Sequence, residues 1–112
     1  MEHKLYELHA QMCRVFTSPK RLEILNLLRD KELSVGELTK LANIRQANLS
    51  QHLGILREKG IAKTRREGTT IYYSLVNPKI GKAFDIIREI LLERLTTNDK
   101  LIKDIRKWRS ND

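Results

Sequence analysis

The chain has 112 residues and a formal net charge of +8, with 22 lysine and arginine residues against 14 acidic ones. This length predicts one domain, and the basic excess favours a polyanionic partner, which is either nucleic acid or an anionic membrane surface. No apolar run reaches the length of about 18 residues that a transmembrane helix needs, so no transmembrane helix is expected.

The N-terminal sequence MEHKLYELHAQMC predicts a helix over residues 2–16, because its apolar residues recur at helical spacing. It lacks the basic start and the continuous apolar core of a signal peptide. The single cysteine of the chain cannot form an internal disulfide, which is typical of a reducing compartment. A cytoplasmic protein is therefore expected.

Two further helices have recognisable start signals. Ser18 suits an N-cap and Pro19 suits the first position of a second helix. The residues that this helix is expected to bury are Leu22, Ile24, Leu25 and Leu28. The sequence Ser34-Val35-Gly36-Glu37 has the spacing of a capping box. It predicts a third helix that ends near Ala42, followed by a turn at Asn43-Ile44.

A fourth helix with two different sides is predicted from Gln46 to Lys59, with Gly60 as its stop. The side expected to be buried carries Leu49, Leu53 and Leu56. The opposite side carries Ala47, Ser50, Gln51 and Gly54. A helix that hides its leucines and presents small, hydrogen-bonding residues is suited to a DNA major groove.

A basic β-hairpin follows the fourth helix. Residues 61–66 and 70–75 alternate and are rich in β-branched and aromatic residues, so they predict two strands. Glu67-Gly68-Thr69 is the predicted turn, in which Gly68 can adopt a positive φ. From Arg45 to Ser74 there are six basic and two acidic residues, which favours a phosphate-binding surface over an ordinary solvated strand face.

Two amphipathic helices are predicted at the C-terminal end. Asn77-Pro78 opens a fifth helix, which is apolar on more than one face, and residues 96–99 are a predicted break before a last helix over residues 100–109. A three-helix core with a hairpin cannot cover both apolar faces of the fifth helix. A two-fold partner is the simplest cover, and folding back onto the same monomer is the alternative.

The sequences SPKRLEILNLL, ELSVGELTKLA, QANLSQHLGILREKGI and RREGTTIYYSL occur here in series over residues 16–75. Together they resemble the ArsR/SmtB-type family of dimeric winged-helix repressors. The resemblance implies a mainly helical fold with a small β-hairpin, a winged helix-turn-helix, in one domain over residues 1–112. Residues 18–75 would form the helix-turn-helix and wing, and residues 1–16 and 78–112 the dimerisation helices.

The family resemblance implies a homodimer that binds a double-stranded DNA operator and represses transcription. The dimer contacts would come from the first and fifth helices, at Leu5, Leu8, Met12, Ile86, Ile90 and Leu91. No membrane partner is expected, and no motif indicates an effector.

The expected DNA contacts fall into two groups. The residues expected to contact base edges are Gln46, Asn48, Ser50 and Gln51, because amide and hydroxyl groups can bond the edges of bases. The residues expected to contact the DNA backbone are Arg45, Lys63, Arg65, Arg66 and Thr69. Arg45 stands where the family usually has a Ser or Thr cap. His52 is interpreted as a packing residue, with base contact as the alternative.

Neither of the family's common metal sites is expected. The positions of its Cys-x-Cys site hold Ser34 and Gly36, and of the ligands on its fifth helix only the glutamate, Glu93, is present. No cofactor is expected. Cys13 is interpreted as a small apolar residue in the dimer seam, with a redox role for its thiol as the alternative.

No constellation of catalytic residues is present, so an enzyme is not expected. A second function remains open. The winged helix could be a protein–protein interaction module of a larger transcription or antitoxin-like assembly. Such a module would show aromatic or leucine anchors on the outward side of the fourth helix, whereas that side carries amides, Ser and Gly.

Overall fold

The computed structural model describes residues 2–95 and 99–110, and this part of the chain contains six helices and three short strands. In chain order they are α1 (Glu2–Val15), α2 (Pro19–Leu27), β1 (Leu33–Ser34), α3 (Val35–Leu41), α4 (Gln46–Glu58), β2 (Ala62–Glu67), β3 (Thr70–Leu75), α5 (Lys79–Arg94) and α6 (Asp99–Ser110). The chain divides into two compact units, one up to Pro78 and one from Lys79 onward. The predicted fold class, mainly helical with a small antiparallel sheet, is confirmed.

The core of the first unit lies where α2, α3, α4 and the sheet pack together. Its fully buried large side chains are Ile24, Leu25, Leu28, Leu38, Leu49, Leu53 and Leu56. The leucine face predicted for α4 is therefore confirmed. Leu22, which was also expected in the core, is only half-buried, because it lies at the edge of the stripe that Leu25 and Leu28 form on α2.

The predicted helix caps of α2 and α3 are confirmed. The Ser18 side chain accepts a hydrogen bond from the backbone N–H of Arg21, and Pro19 begins α2. Ser34 and Glu37 form a complete capping box, with N···O distances of 3.1 Å and 3.0 Å. These bonds satisfy backbone groups that a helix start otherwise leaves unpaired.

The turns on either side of α4 also follow the prediction. Asn43 has a φ of 49° in the turn after α3, and Gly60 has a φ of 72° just after α4. Asparagine and glycine tolerate this left-handed region best. The α4 helix is thereby held between two sharp changes of chain direction.

The sheet has three antiparallel strands in the order β1-β3-β2, so the predicted hairpin gains one strand. In β2 and β3, Glu67 pairs with Thr70, which leaves a two-residue turn and makes Glu67 part of the strand. The extra strand, β1, pairs Leu33 with Tyr73 and Ser34 with Tyr72. Its two residues are too few to show the alternation that predicts a strand.

The second unit contains α5 and α6. The α5 helix begins at Lys79, one residue after Pro78, and Gly81 and Phe84 are its buried residues. Of the predicted break at residues 96–99, residues 96–98 lie outside the described residues, and the prediction is wrong for Asp99, which is the first residue of α6. Across the described ranges, every helix is too short or too polar to cross a bilayer.

Candidate nucleic-acid interface

The two sides of α4 differ as the sequence predicts. Leu49, Leu53 and Leu56 have less than two per cent of their surface exposed and anchor the helix on the core. The residues expected to contact bases, Gln46, Asn48, Ser50 and Gln51, are all exposed. The helix therefore presents four hydrogen-bonding side chains on a rigid support.

The start of α4 is not capped by a side chain. Arg45 occupies the N-cap position with extended backbone angles, and its side chain makes no capping hydrogen bond. A guanidinium has no acceptor atom for the N–H groups of the first turn. These groups are consequently left for another acceptor, and the exposed Arg45 side chain lies beside them.

An open groove of about 550 Å³ lies between the start of α3, the first half of α4 and the β2–β3 hairpin, here called the wing. Its walls include Ser34, Gln46, Ser50, Thr69, Ile71 and Tyr73. Most of these side chains carry a hydroxyl or an amide, which can both donate and accept hydrogen bonds. Two of the four residues expected to contact bases thus line one groove with the wing.

The basic residues of β2 lie on two faces of the wing, because side chains alternate along a strand. Arg66 lies opposite Ile71, so its side chain is on the face that lines the groove. Lys63 and Arg65 lie opposite Ser74 and Tyr72, on the other face. Within residues 2–95 and 99–110, Arg66 forms no side-chain hydrogen bond or ion pair. The sequence predicted phosphate contacts for all three and did not distinguish them.

Arg65 is held by two carboxylates. Its guanidinium donates to both carboxylate oxygens of Glu32, at 2.9–3.1 Å, and to Glu67 at 3.1 Å, and it lies 4.8 Å over the Tyr72 ring centroid. The hydrogen bond from Arg65 lowers the pKa of Glu32. The same bonds, from Glu32 first and then Glu67, raise the pKa of Arg65. Sequence reasoning missed Glu32, because it lies 33 residues from Arg65 and no local pattern links them.

His52 is partly buried on the side of α4 that faces the core. Its Nδ1 lies 3.5 Å from a guanidinium nitrogen of Arg21 on α2. Burial, and then the positive charges of Arg21 and Lys20, lower the pKa of His52. This position agrees with the interpretation of His52 as a packing residue.

The residues expected at a dimer interface are all exposed in the single chain. On α1 these are Leu5, Leu8 and Met12, and on α5 they are Ile86, Ile90 and Leu91, each with between 49% and 63% of its surface exposed. Large apolar side chains this accessible mark an interaction surface when they cluster on one element. The Cys13 thiol on α1 is also free and exposed.

In the described part of the chain, no three His, Cys, Asp or Glu residues lie close enough together to hold a metal ion. Ser34, at a position of the family's cysteine site, uses its hydroxyl for the α3 cap.

Comparisons with known proteins agree on one family. Residues 18–64 match the family model for bacterial regulatory proteins of the arsR family. An uncharacterized HTH-type transcriptional regulator of Mycobacterium tuberculosis, Rv0081, is 35% identical over 103 residues, which are 91% of this chain and 90% of that protein. The crystal structure of Rv0081 matches with a TM-score of 0.76 and 36% identity, over 83% of this chain and 94% of that one.

Two more relatives have informative descriptions. A biofilm growth-associated repressor of Agrobacterium fabrum is 40% identical over 90 residues, which are 80% of this chain and 76% of that protein. A homodimeric winged helix-turn-helix DNA-binding domain from Mycobacterium bovis, a possible ArsR-family transcriptional regulator, has a solution NMR structure that matches with a TM-score of 0.75. It is 25% identical and covers 87% of this chain and 90% of that one.

Proposed function

The chain belongs to the arsR family of bacterial regulatory proteins, and we propose that it is a homodimeric repressor that binds its operator with α4 and the wing. It is a DNA-binding transcriptional regulator with a winged helix-turn-helix fold, and it is not an enzyme, since its family and relatives are transcriptional regulators. In the proposed domain arrangement, residues 18–75 bind DNA, and residues 1–16 and 78–112 form the dimer. Because such a protein acts on chromosomal DNA, we also propose a cytoplasmic location.

One observation carries the proposal most directly. The outward side of α4 has no buried role, carries amides and hydroxyls, and borders a groove whose other wall is the wing. An α-helix fits the major groove of B-DNA, where amide side chains can form paired hydrogen bonds with adenine. The leucines on the opposite side hold the helix rigidly, so the groove-facing residues are fixed relative to each other.

In the proposed complex, the base contacts come from Gln46, Asn48, Ser50 and Gln51. Arg45, Arg66, Lys63 and Thr69 contact the phosphate backbone on either side. Phosphate contacts supply affinity and salt dependence, whereas base contacts supply sequence preference. Arg45 and Arg66 are the strongest of the basic candidates, because Arg45 lies at the uncapped start of α4 and Arg66 lies on the face of the wing that lines the groove.

The proposed dimer would present two α4 helices to the DNA. Helix-turn-helix dimers bind half-sites separated by about one helical turn, or about 10 base pairs from centre to centre. The exposed apolar side chains of α1 and α5 supply the surface that two copies would bury. Repression is proposed because relatives such as the Agrobacterium protein are described as repressors.

The test begins with selection of bound DNA from a random pool, which yields the operator and its half-site spacing. Fluorescence anisotropy then measures affinity for variants. Gln51→Ala should cost about 1–3 kcal/mol on the selected operator and relax the preference at one base position. Gln11→Ala makes the same change on the exposed surface of α1. Because Gln11 lies in the proposed dimer segment, it serves as the control once sedimentation shows that this variant dimerises as the wild type does.

Arg66→Ala should weaken binding to all sequences alike, and it should reduce the slope of log K against log salt by about 0.9 for each phosphate that the variant no longer neutralises. The proposal that α4 contacts bases fails if Gln51→Ala leaves both affinity and base preference at the wild-type values. If the chain showed no preference for duplex DNA and bound a protein partner instead, the interaction-module alternative would be favoured.

A further inference from the structure

We propose that Arg65 is a positioning residue that fixes the wing through Glu32, and that it does not contact DNA phosphates. The set formed by Arg65, Glu32, Glu67 and Tyr72 is called the wing clasp below. This proposal rests on the proposed function, because it concerns how the wing is presented to DNA. It changes the role that the sequence alone assigns to Arg65.

The wing clasp crosses the whole sheet. Arg65 on β2 pairs with Tyr72 on β3, and Tyr72 pairs with Ser34 on β1. Glu32 lies just before β1, so its carboxylate reaches Arg65 from the far edge of the sheet, across the ring of Tyr72. The first strand is part of the helix-turn-helix framework, since Ser34 also caps α3. The clasp therefore ties the outer strand of the wing to the framework that carries α4.

The geometry of the clasp is directional. Nε of Arg65 lies 3.1 Å and 3.0 Å from the two oxygens of Glu32, and a terminal nitrogen lies 2.9 Å from the first of them. A planar guanidinium that binds a carboxylate in this way fixes orientation as well as distance. A rotation of the wing relative to β1 would break these bonds. The clasp therefore restrains the wing below its two-residue turn of Gly68 and Thr69.

The charge of Arg65 is already compensated. Two carboxylates surround one guanidinium, and all three of its nitrogens donate to them. The positive charge of Arg65 is offset by the carboxylates of Glu32 and Glu67, so Arg65 attracts a phosphate less strongly than an unpaired guanidinium does. Arg66 differs from Arg65 in two ways. It lies on the face of the wing that lines the groove, and it has no carboxylate partner within the described ranges. One arginine of the Arg65-Arg66 pair is thus available to DNA and the other holds the wing.

A second hypothesis assigns the opposite role to Glu32. In that hypothesis Glu32 masks Arg65 until DNA binds, and Arg65 then exchanges the carboxylate for a phosphate. The two hypotheses predict opposite changes in operator affinity for Glu32→Gln. If Glu32 masks Arg65, removal of its charge frees the arginine, so affinity rises and the salt slope becomes steeper. If Glu32 positions the wing, affinity falls and the slope stays unchanged.

The experiment compares operator binding by Glu32→Gln and Glu58→Gln across a salt series. Glu58 is exposed at the end of α4 and forms no ion pair within the described part of the chain, so its variant gives the effect of removing one negative charge. We expect Glu32→Gln to bind at least about threefold more weakly than Glu58→Gln, as is typical when one member of a coupled pair is removed. Their salt slopes should agree.

A second variant separates charge from geometry. Arg65→Lys keeps the positive charge, and a lysine is a sufficient phosphate contact, but it cannot form the two-pronged bond to Glu32. We expect Arg65→Lys to lose as much affinity as Glu32→Gln, with the wild-type salt slope. Thermal unfolding should change little in both, because exposed ion pairs contribute little to the free energy of unfolding. This readout shows that the variants are folded.

A third measurement uses the free protein and does not depend on DNA binding. In the NMR spectrum, the Nε–H of Arg65 should exchange with water more slowly than that of Arg66, and Glu32→Gln should remove the difference. If the wild-type chain bound no operator, the proposed function would fail while this measurement still tested the clasp. The clasp proposal is overturned if Glu32→Gln tightens binding and steepens the slope, if Arg65→Lys binds as the wild type does, or if the two arginines exchange equally.

Discussion

The exposed isoleucine at position 90 allows the proposed dimer to be tested with a worked magnitude. Ile90 is 54% exposed in the single chain, and Ile90→Ala removes three carbons of its side chain. At about 0.8 kcal/mol for each buried carbon, burial of the exposed half in a dimer contributes about 1.3 kcal/mol per protomer. A two-fold interface contains each position twice, so the variant should lose about 2.6 kcal/mol of dimerisation free energy, or about 80-fold in the dimer dissociation constant.

Sedimentation equilibrium over a range of protein concentrations measures that constant directly. Val76→Ala is the matched control, because Val76 is 48% exposed and lies between β3 and α5, outside the proposed interface. Thermal unfolding of both variants at one concentration shows whether either change affects the fold itself. The proposed interface is refuted if Ile90→Ala dissociates no more readily than the wild type, or if Val76→Ala shifts the constant by the same factor.

Two further predictions concern α4. A Cβ added at Gly54 would meet nothing within 4 Å, so Gly54→Ala should raise the free energy of unfolding by about 0.5–1 kcal/mol while it lowers operator affinity, as denaturation and anisotropy together would show. In the fold, burial and then the charges of Arg21 and Lys20 lower the pKa of His52. The unfolded chain therefore binds the proton more readily than the folded chain does. The free energy of unfolding should consequently fall as the pH drops below about 6.5. His52→Gln should flatten that part of the profile, as measured by urea unfolding from about pH 7.5 to about pH 5.5; an unchanged profile would contradict it.

The helix starts and the turns were predictable because their causes are local. A helix cap needs only a serine three residues before the backbone N–H that it accepts from, and a positive φ needs only a glycine at that position. Both signals can be read from a few consecutive residues. The leucine side of α4 was predictable for the same reason, since helical periodicity needs only one segment of sequence. Ser18, Ser34, Gly60 and the buried Leu53 all fall in this class.

The arrangement of the wing was not predictable, because its causes are distant in sequence. The strand β1 exists only because Leu33 and Ser34 lie beside β3 in the folded chain. The pairing of Arg65 with Glu32 depends on that strand, so no local pattern could distinguish Arg65 from Arg66. Adjacent residues of any strand lie on opposite faces, but only the pairing of β3 with β1 and β2 determines which arginine shares a face with Glu32 and which shares a face with Ile71.

Two departures from helix preference in the first unit fall on α4. The α2 and α3 helices begin with serine caps that satisfy their first backbone N–H groups, whereas α4 begins with Arg45, which cannot. Its exposed side also contains Gly54, which weakens a helix interior and has open space around it. Neither residue improves the isolated fold.

An uncapped first turn beside an arginine can bind a phosphate, and a glycine permits close approach of a base edge or a backbone. Proteins tend to break local rules where function requires it, and both exceptions lie on the outward surface of the helix that borders the groove.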